Sequence, residues 1–229
     1  MSQSASLVSN AAFISYPKQA AFGRTLPKNK IYEHSGANTR LKDFFVKQVE
    51  QIVWQYKLAP ETINLPAKLD VQELQVFSIL LKTPYLNLDV LRCIDGAVQF
   101  PIIFELSFDG RTQVIAAYKR PNESDASRWV LSDYFATAWL PSDIERASML
   151  LALDLGGLYE QVLHRLIPTP ARQQEGLADL VARVEQVAAK QREIEKAASK
   201  LAKEKQFNRK VEINALLRQL KIELQGLTQ

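Results

Sequence analysis

Carboxylates paired with lysines are the groups in this chain best suited to hydrolytic chemistry, because acids can hold a divalent ion and a lysine can steady a charged transition state. The candidates are Glu73, Glu105 and Asp109, beside Lys82 or Lys119. A common metal-dependent nuclease arrangement asks for an acid two positions before the lysine on one strand. Here Ala117 stands two before Lys119, and Leu80 two before Lys82, so that spacing fails. A divergent metal-dependent nuclease, or another nucleic-acid-processing enzyme, using Glu73, Glu105 or Asp109 is the alternative. The histidines, His34 and His164, are far apart and neither has a partner at metal-ligand spacing. Cys93 is the only cysteine and falls on an apolar helical face beside Ile94, the setting of a buried structural thiol. The chain has no Gly-x-x-x-x-Gly-Lys-Ser/Thr loop, no Gly-x-Gly-x-x-Gly and no Gly-x-Ser-x-Gly elbow. No catalytic residue, metal site or cofactor is expected.

Cations beside aromatic rings point instead to binding. Arg24, Lys28 and Lys30 fall within seven residues, flanked by Phe22 and Tyr32, an arrangement suited to phosphate contact and stacking on an unpaired base. Lys119 and Arg120, at a strand exit, could extend the patch. The alternative is a solvated basic loop whose aromatics anchor a core. The charge is localised: from Lys18 to Lys57 eight basic residues face three acidic ones, an excess of five, whereas the whole chain carries only +4.

These groups have to be positioned by a body of ordinary globular make-up. At 229 residues, 47% apolar and 24% charged, the chain has enough material for a core without disulfides or metal. A lone cysteine excludes an intramolecular disulfide and fits a reducing cytoplasm. Met1 to Ser15 carries no basic residue ahead of its apolar stretch, unlike a signal peptide, and no apolar run approaches the roughly 20 residues of a membrane span. The expectation is a soluble cytoplasmic protein with no membrane partner.

Residues 1–15 read as a loose lead-in. Tyr16 to Tyr32, with Pro17, Gly23 and Pro27, is predicted extended or turned rather than helical. A helix is predicted from Ser35–Asn38 to Pro60 on the spacing of Leu41, Phe44, Phe45, Gln48, Ile52 and Tyr56. Val71–Leu81 is a strand covered on both faces, and Pro84–Val98 a helix. Phe100–Phe108 alternates, Asp109-Gly110 makes a hairpin turn, Val114–Tyr118 returns, and Arg128–Phe135 adds another strand. The fold class is therefore α+β, a mixed sheet of about four strands (β-α-β-β-β) packed with helices. A helix over Met149–Ile167 closes the body, and the boundary near Thr169–Glu175 separates residues 1–170 from 171–229.

Beyond the boundary the pattern becomes a heptad seam: Leu177, Leu180, Val184, Val187, Gln191, Ile194, Ala198 and Leu201, then Ile213, Leu217, Leu220, Leu224 and Leu227. The step from Leu201 to Ile213 puts the two seams about 120° apart on one straight helix. A reversal near Gln206-Phe207-Asn208-Arg209 is expected, giving a helical hairpin with facing seams; a continuous coiled-coil helix with two partners is the alternative. Such a stripe has to leave water in a hairpin, in a homodimer or on another protein. Leu177, Leu180, Val184, Val187, Ile194, Leu201, Ile213, Leu217, Leu220 and Leu224 are accordingly the candidate partner-binding residues.

The segments Tyr16-Pro17, Ala21-Phe22-Gly23-Arg24, Leu26-Pro27-Lys28 and Lys30-Ile31-Tyr32-Glu33-His34 carry a resemblance. With Leu58 to Pro66, Phe100 to Leu106 and Glu204 to Glu212, they make the chain, from about Tyr16 to Leu227, similar to an uncharacterised bacterial domain-of-unknown-function family (DUF4391-like). The resemblance supplies no catalytic residues. It implies a neighbourhood of helicase-related ATPases and DNA methyltransferases in restriction-like defence loci. On it, the expected function is a non-enzymatic accessory subunit of a DNA-surveillance system, docked on such a partner and in reach of nucleic acid.

Overall fold

The computed structural model describes residues 11–122, 124, 125 and 128–228. The chain divides into two compact units, Met1–Pro170 and Ala171–Gln229. The sequence readings that fall on residues 1–10 lie outside the described residues.

The first unit is built on a sheet of seven strands, not four. Its order is β2 (Ala21–Thr25), β3 (Val49–Leu58), β4 (Leu74–Leu81), β5 (Ile102–Phe108), β6 (Arg111–Pro121) and β7 (Trp129–Ala136), with the two-residue β8 (Leu140–Pro141) pairing with β6 beside β7. Only β4 and β5 run parallel, so a crossover is required between them, and helix α4 (Leu88–Ala97) supplies it. The β4-α4-β5-β6-β7 order is the predicted β-α-β-β-β. Asp109 and Gly110 take φ of 45° and 68°, the positive pair that a tight β-hairpin turn demands.

Three corrections concern the N-terminal part. Val49–Leu58 is a strand, not the end of a helix. The helix it was assigned to, α2 (Thr39–Gln48), is capped by the Asn38 side chain and stops after ten residues. Gln48, Ile52 and Tyr56 misled because a step of four returns to one face in a helix and in a strand alike; the Val-Ile-Trp-Tyr content of the stretch favours the strand. Lys28–Ser35 is a helix, α1, entered through Pro27, whose fixed φ suits the position before a helix. Ala12, Phe13 and Ile14 are core residues rather than a loose lead-in, and β1 (Ile14–Ser15) pairs in parallel with β9 (Ala147–Ser148).

One sheet face is covered by α1, α2 and α4 over Phe45, Ile52, Phe77, Ile79, Leu91, Ile94, Phe104 and Ile115. A single-turn helix, α3 (Pro60–Ile63), follows β3. Helix α5 (Leu155–Leu166) packs on β6 and β7 and begins later than predicted, at the Asp154 cap. A Cβ at Gly156 in its first turn would come within 2.5 Å of the exposed Lys68 side chain, which would have to move aside.

The second unit is a helical hairpin of α6 (Leu177–Lys203) and α7 (Phe207–Thr228), reversing at Glu204–Gln206. Ile194, Ala197 and Leu201 meet Ile213, Leu217 and Leu220 along it, and Lys190 pairs with Glu223 at 2.8 Å. Ala197, not the expected Ala198, carries the seam. No described helix is long and apolar enough to cross a membrane. Leu217→Asp would place a carboxylate where Leu217 is only 9% exposed, at a cost of roughly 3 kcal/mol. Limited proteolysis read by mass spectrometry is expected to show new cleavage within 177–228, and unchanged protection would contradict the hairpin.

Candidate functional site

The acids and lysines that could have formed a nuclease centre do not share partners. Glu105 sits on β5 one residue beyond Phe104, so it points to the sheet face opposite that ring. There Arg146 grips it in a two-pronged pair at 2.8 and 2.7 Å and also donates to the Ile14 carbonyl at 3.0 Å. That clamp fastens β1 and β9 to the sheet. The Tyr16 phenol is buried close by without a hydrogen-bond partner among the described residues, and burial, reinforced by Glu105, drives its pKa up. Glu73 is held by Lys57 at 3.3 Å and by the Gln75 amide at 2.6 Å. Asp109 is in the hairpin turn, and Lys82 donates to the Val46 carbonyl.

Lys119 reaches the other face. Its ammonium donates to the carbonyls of Asp95 (2.6 Å), Val98 (2.5 Å) and Phe100 (3.4 Å), closing the C-terminal end of α4 where unpaired carbonyls and the negative end of the helix dipole favour a cation. At 2% exposed it is no surface cation, which corrects its assignment to a nucleic-acid patch. At the neighbouring bulge in β6 the Tyr159 hydroxyl of α5 bridges the irregular stretch, donating to the Ala117 carbonyl at 2.5 Å and accepting from the Lys119 N–H at 2.9 Å. On the same helix end, the Asp95 carboxyl is buried and takes the Tyr134 hydroxyl at 2.5 Å. Burial pushes Asp95 up to about 6, against the pull of Tyr134 and Lys119. Burial likewise lowers Lys119.

The remaining patch residues divide. Lys28 also serves a helix end: it donates to the Phe45 and Val49 carbonyls, at 3.2 and 2.5 Å, at the close of α2. Arg24 and Lys30 stay exposed, Lys30 pairing with Glu33 at 3.0 Å. Phe22 is exposed beside Trp54, ring centres 4.2 Å apart, and Arg120 is half-buried. The structure thus leaves Arg24, Lys30 and Phe22 at the surface and turns Lys28 and Lys119 inward. The missed residues, Asp95, Tyr134, Tyr159 and Arg146, had no local signal, because their partners are all more than twenty residues away.

No group of three or more His, Cys, Asp or Glu among the described residues is placed to hold a metal ion. His34 bonds the Lys30 carbonyl through Nδ1, and His164 faces Glu160 at 3.5 Å. Cys93 donates its thiol to the Ser35 hydroxyl at 2.9 Å, and burial raises its pKa, away from a reactive thiolate. An open cleft of about 450 Å³ lies over it, lined by Arg40, Phe44, Asp89 and Arg92.

The seam residues offered as a partner surface face inward. Ile194, Leu201, Ile213, Leu217 and Leu220 pack on one another, Leu177 and Leu180 are buried, and Val184, Val187 and Leu224 are half-buried. The seam closes the hairpin, the first of the three ways in which such a stripe can leave water, so the residues named as candidates for partner binding are largely taken up within the hairpin itself. Exposed apolar side chains lie elsewhere on α7: Phe207 at 77%, Val211 at 52% and Ile222 at 71% share one side of the helix, and Leu216 at 48% lies apart from them.

The Asp95 carboxyl gives a pH signature. Its folded pKa, about 6, lies above the ordinary 3.8, so its contribution to stability is full below pH 3.8 and is lost as pH rises through 6. Asp95→Asn removes that loss. All three tryptophans, Trp54, Trp129 and Trp139, lie in the first unit and report its unfolding. In denaturant titrations between about pH 4 and 8, the stability of Asp95→Asn relative to the parent is expected to climb by about 3 kcal/mol. A difference that stays flat with pH would contradict the assignment.

A family model described as Domain of unknown function (DUF4391) matches residues 14–224. No curated protein and no solved structure matches the chain. Since the match takes in both the sheet and the hairpin, the chain as a whole belongs to the DUF4391 family.

Proposed function

We propose that the protein is a non-enzymatic accessory subunit that docks on a larger partner through its C-terminal hairpin. The observation that carries this is the second apolar stripe of α7: Phe207, Val211 and Ile222 remain in water although the helix has already closed its seam on α6. Large apolar side chains at helical spacing outside a completed core mark a recognition surface. The ionisable side chains of the body support the same conclusion from the other side. Glu105, Glu73, Lys119 and Lys28 each neutralise or cap a separate structural element, and none converges on another.

Helicase-related ATPases and DNA methyltransferases of restriction-like defence loci are the partners that the family resemblance suggests first. Exposed Arg24, Lys30 and Phe22 provide a modest surface for nucleic acid in such an assembly. Co-expression with an ATPase or methyltransferase encoded beside its gene is the test. The Phe207→Ser/Ile222→Ser variant and a chain ending at Pro170 are expected to lose at least about tenfold in recovered partner, while Leu80→Ser, another exposed apolar site, retains it. Full recovery with the stripe variant would refute docking by the hairpin.

Nucleic-acid contact is tested separately. Arg24→Ala/Lys30→Ala is expected to flatten the slope of log affinity against log salt by up to about 2 for duplex DNA. An unchanged slope would remove these residues from any nucleic-acid surface.

A further inference from the structure

The outer stripe of α7 specifies more than an apolar contact. At about 100° per residue, Phe207, Val211, Arg218 and Ile222 fall within about 60° of one another, and their centre lies roughly 140° from that of Ile213, Leu217 and Leu220. The stripe runs for about 22 Å, four turns of helix. Arg218 stands inside it and Lys221 beside it, both exposed and without an ion-pair partner among the described residues. The two glutamates of α7 are turned away: Glu212 and Glu223 lie roughly 120° from the stripe's centre, and Glu223 is drawn to Lys190 at 2.8 Å.

On the docking role proposed above, we infer that the occupant is an amphipathic helix with acidic flanks, laid along α7 as a third helix of the bundle. A straight ridge of side chains at these intervals is matched by another helix packed at a shallow angle, and α7 offers no unpaired backbone edge for a strand to join. The charge decides the flanks. Burial of Phe207, Val211 and Ile222 takes Arg218 into the contact, where a facing carboxylate must neutralise it as it leaves water, and sets Lys221 at the rim, where carboxylates speed encounter and fix the register. A second copy of the same stripe fits less well. Within α7, Arg209, Lys210, Arg218 and Lys221 against Glu212 and Glu223 make 4 − 2 = +2, so self-pairing sets like charge against like.

The test uses the full chain and two labelled synthetic helical peptides of about five turns. Both carry leucines at heptad spacing; one has glutamates on its flanks and the other lysines. In fluorescence anisotropy at low salt the glutamate peptide is expected to bind at least about tenfold more tightly, and several-fold more weakly at about 0.3 M salt. Arg218→Glu/Lys221→Glu should reverse the preference, and Phe207→Ser/Ile222→Ser should weaken the glutamate peptide about tenfold or more. Equal affinity for the two peptides, a preference unmoved by charge reversal, sedimentation with anionic phosphatidylserine vesicles in place of peptide binding, or a dimer in light scattering lost on Phe207→Ser/Ile222→Ser would each overturn the inference. Failure of the glutamate peptide alongside loss of partner from Phe207→Ser/Ile222→Ser sinks only the partner's chemistry. Partner retained by that variant sinks the docking role itself.

Discussion

The body of this protein depends on an ammonium group placed at a helix end inside it. A parallel pair of strands needs a crossover, the crossover is α4, and the carbonyls at the end of α4 are turned into the fold rather than into water. Unpaired, they would cost several kcal/mol. Lys119 meets two of them, at Asp95 and Val98, and the Phe100 carbonyl just beyond, from β6, while the Tyr159 hydroxyl bridges the bulge in β6 beside it and Tyr134 holds the Asp95 carboxyl on the same helix end. Helix α4, strands β6 and β7 and helix α5 are thereby tied through polar contacts that cross every layer of the sheet. On the opposite face the Glu105–Arg146 clamp does the same for β1 and β9.

Function follows from how those charges are used. Groups that a sequence offers as chemistry are here committed to closing helix ends and pinning strands, each satisfied at its own position. The hairpin differs in kind. Its inner seam is complete, yet α7 keeps a further apolar stripe with exposed Arg218 inside it and exposed Lys221 beside it. A surface of that composition is costly to leave in water and has no role in holding the hairpin together. The docking role rests on this contrast between a body whose charged groups at Glu73, Glu105, Lys28 and Lys119 are paired and a helix whose outer apolar groups are not covered.

Much of the architecture was legible because local rules governed it. The Asp-Gly turn between alternating runs, the strand–helix–strand order around Leu88–Ala97 and the phase slip between Leu201 and Ile213 all follow from periodicities within short windows. Val49–Leu58 was not legible, since its four-residue spacing belongs equally to a helix, and the strand is chosen by pairing with β2 and β4 on either side. Lys28 and Lys119 read as surface cations because nothing in their neighbourhood says that a helix ends above them. The outer stripe of α7 was hidden in the same way. Phe207 and Ile222 are unremarkable in the sequence until the seam shows which face is already taken.

The central claim is that Phe207 and its neighbours on α7 are covered by a partner helix in the working assembly. Thiol alkylation of an Ala215→Cys chain, at an exposed position between Val211 and Ile222 on the margin of the stripe, measures this directly, with buried Cys93 as the slow internal reference. Rapid labelling of position 215 is expected in the isolated protein, and at least about tenfold protection in the complex with its partner. Equal labelling rates in the two states would contradict it.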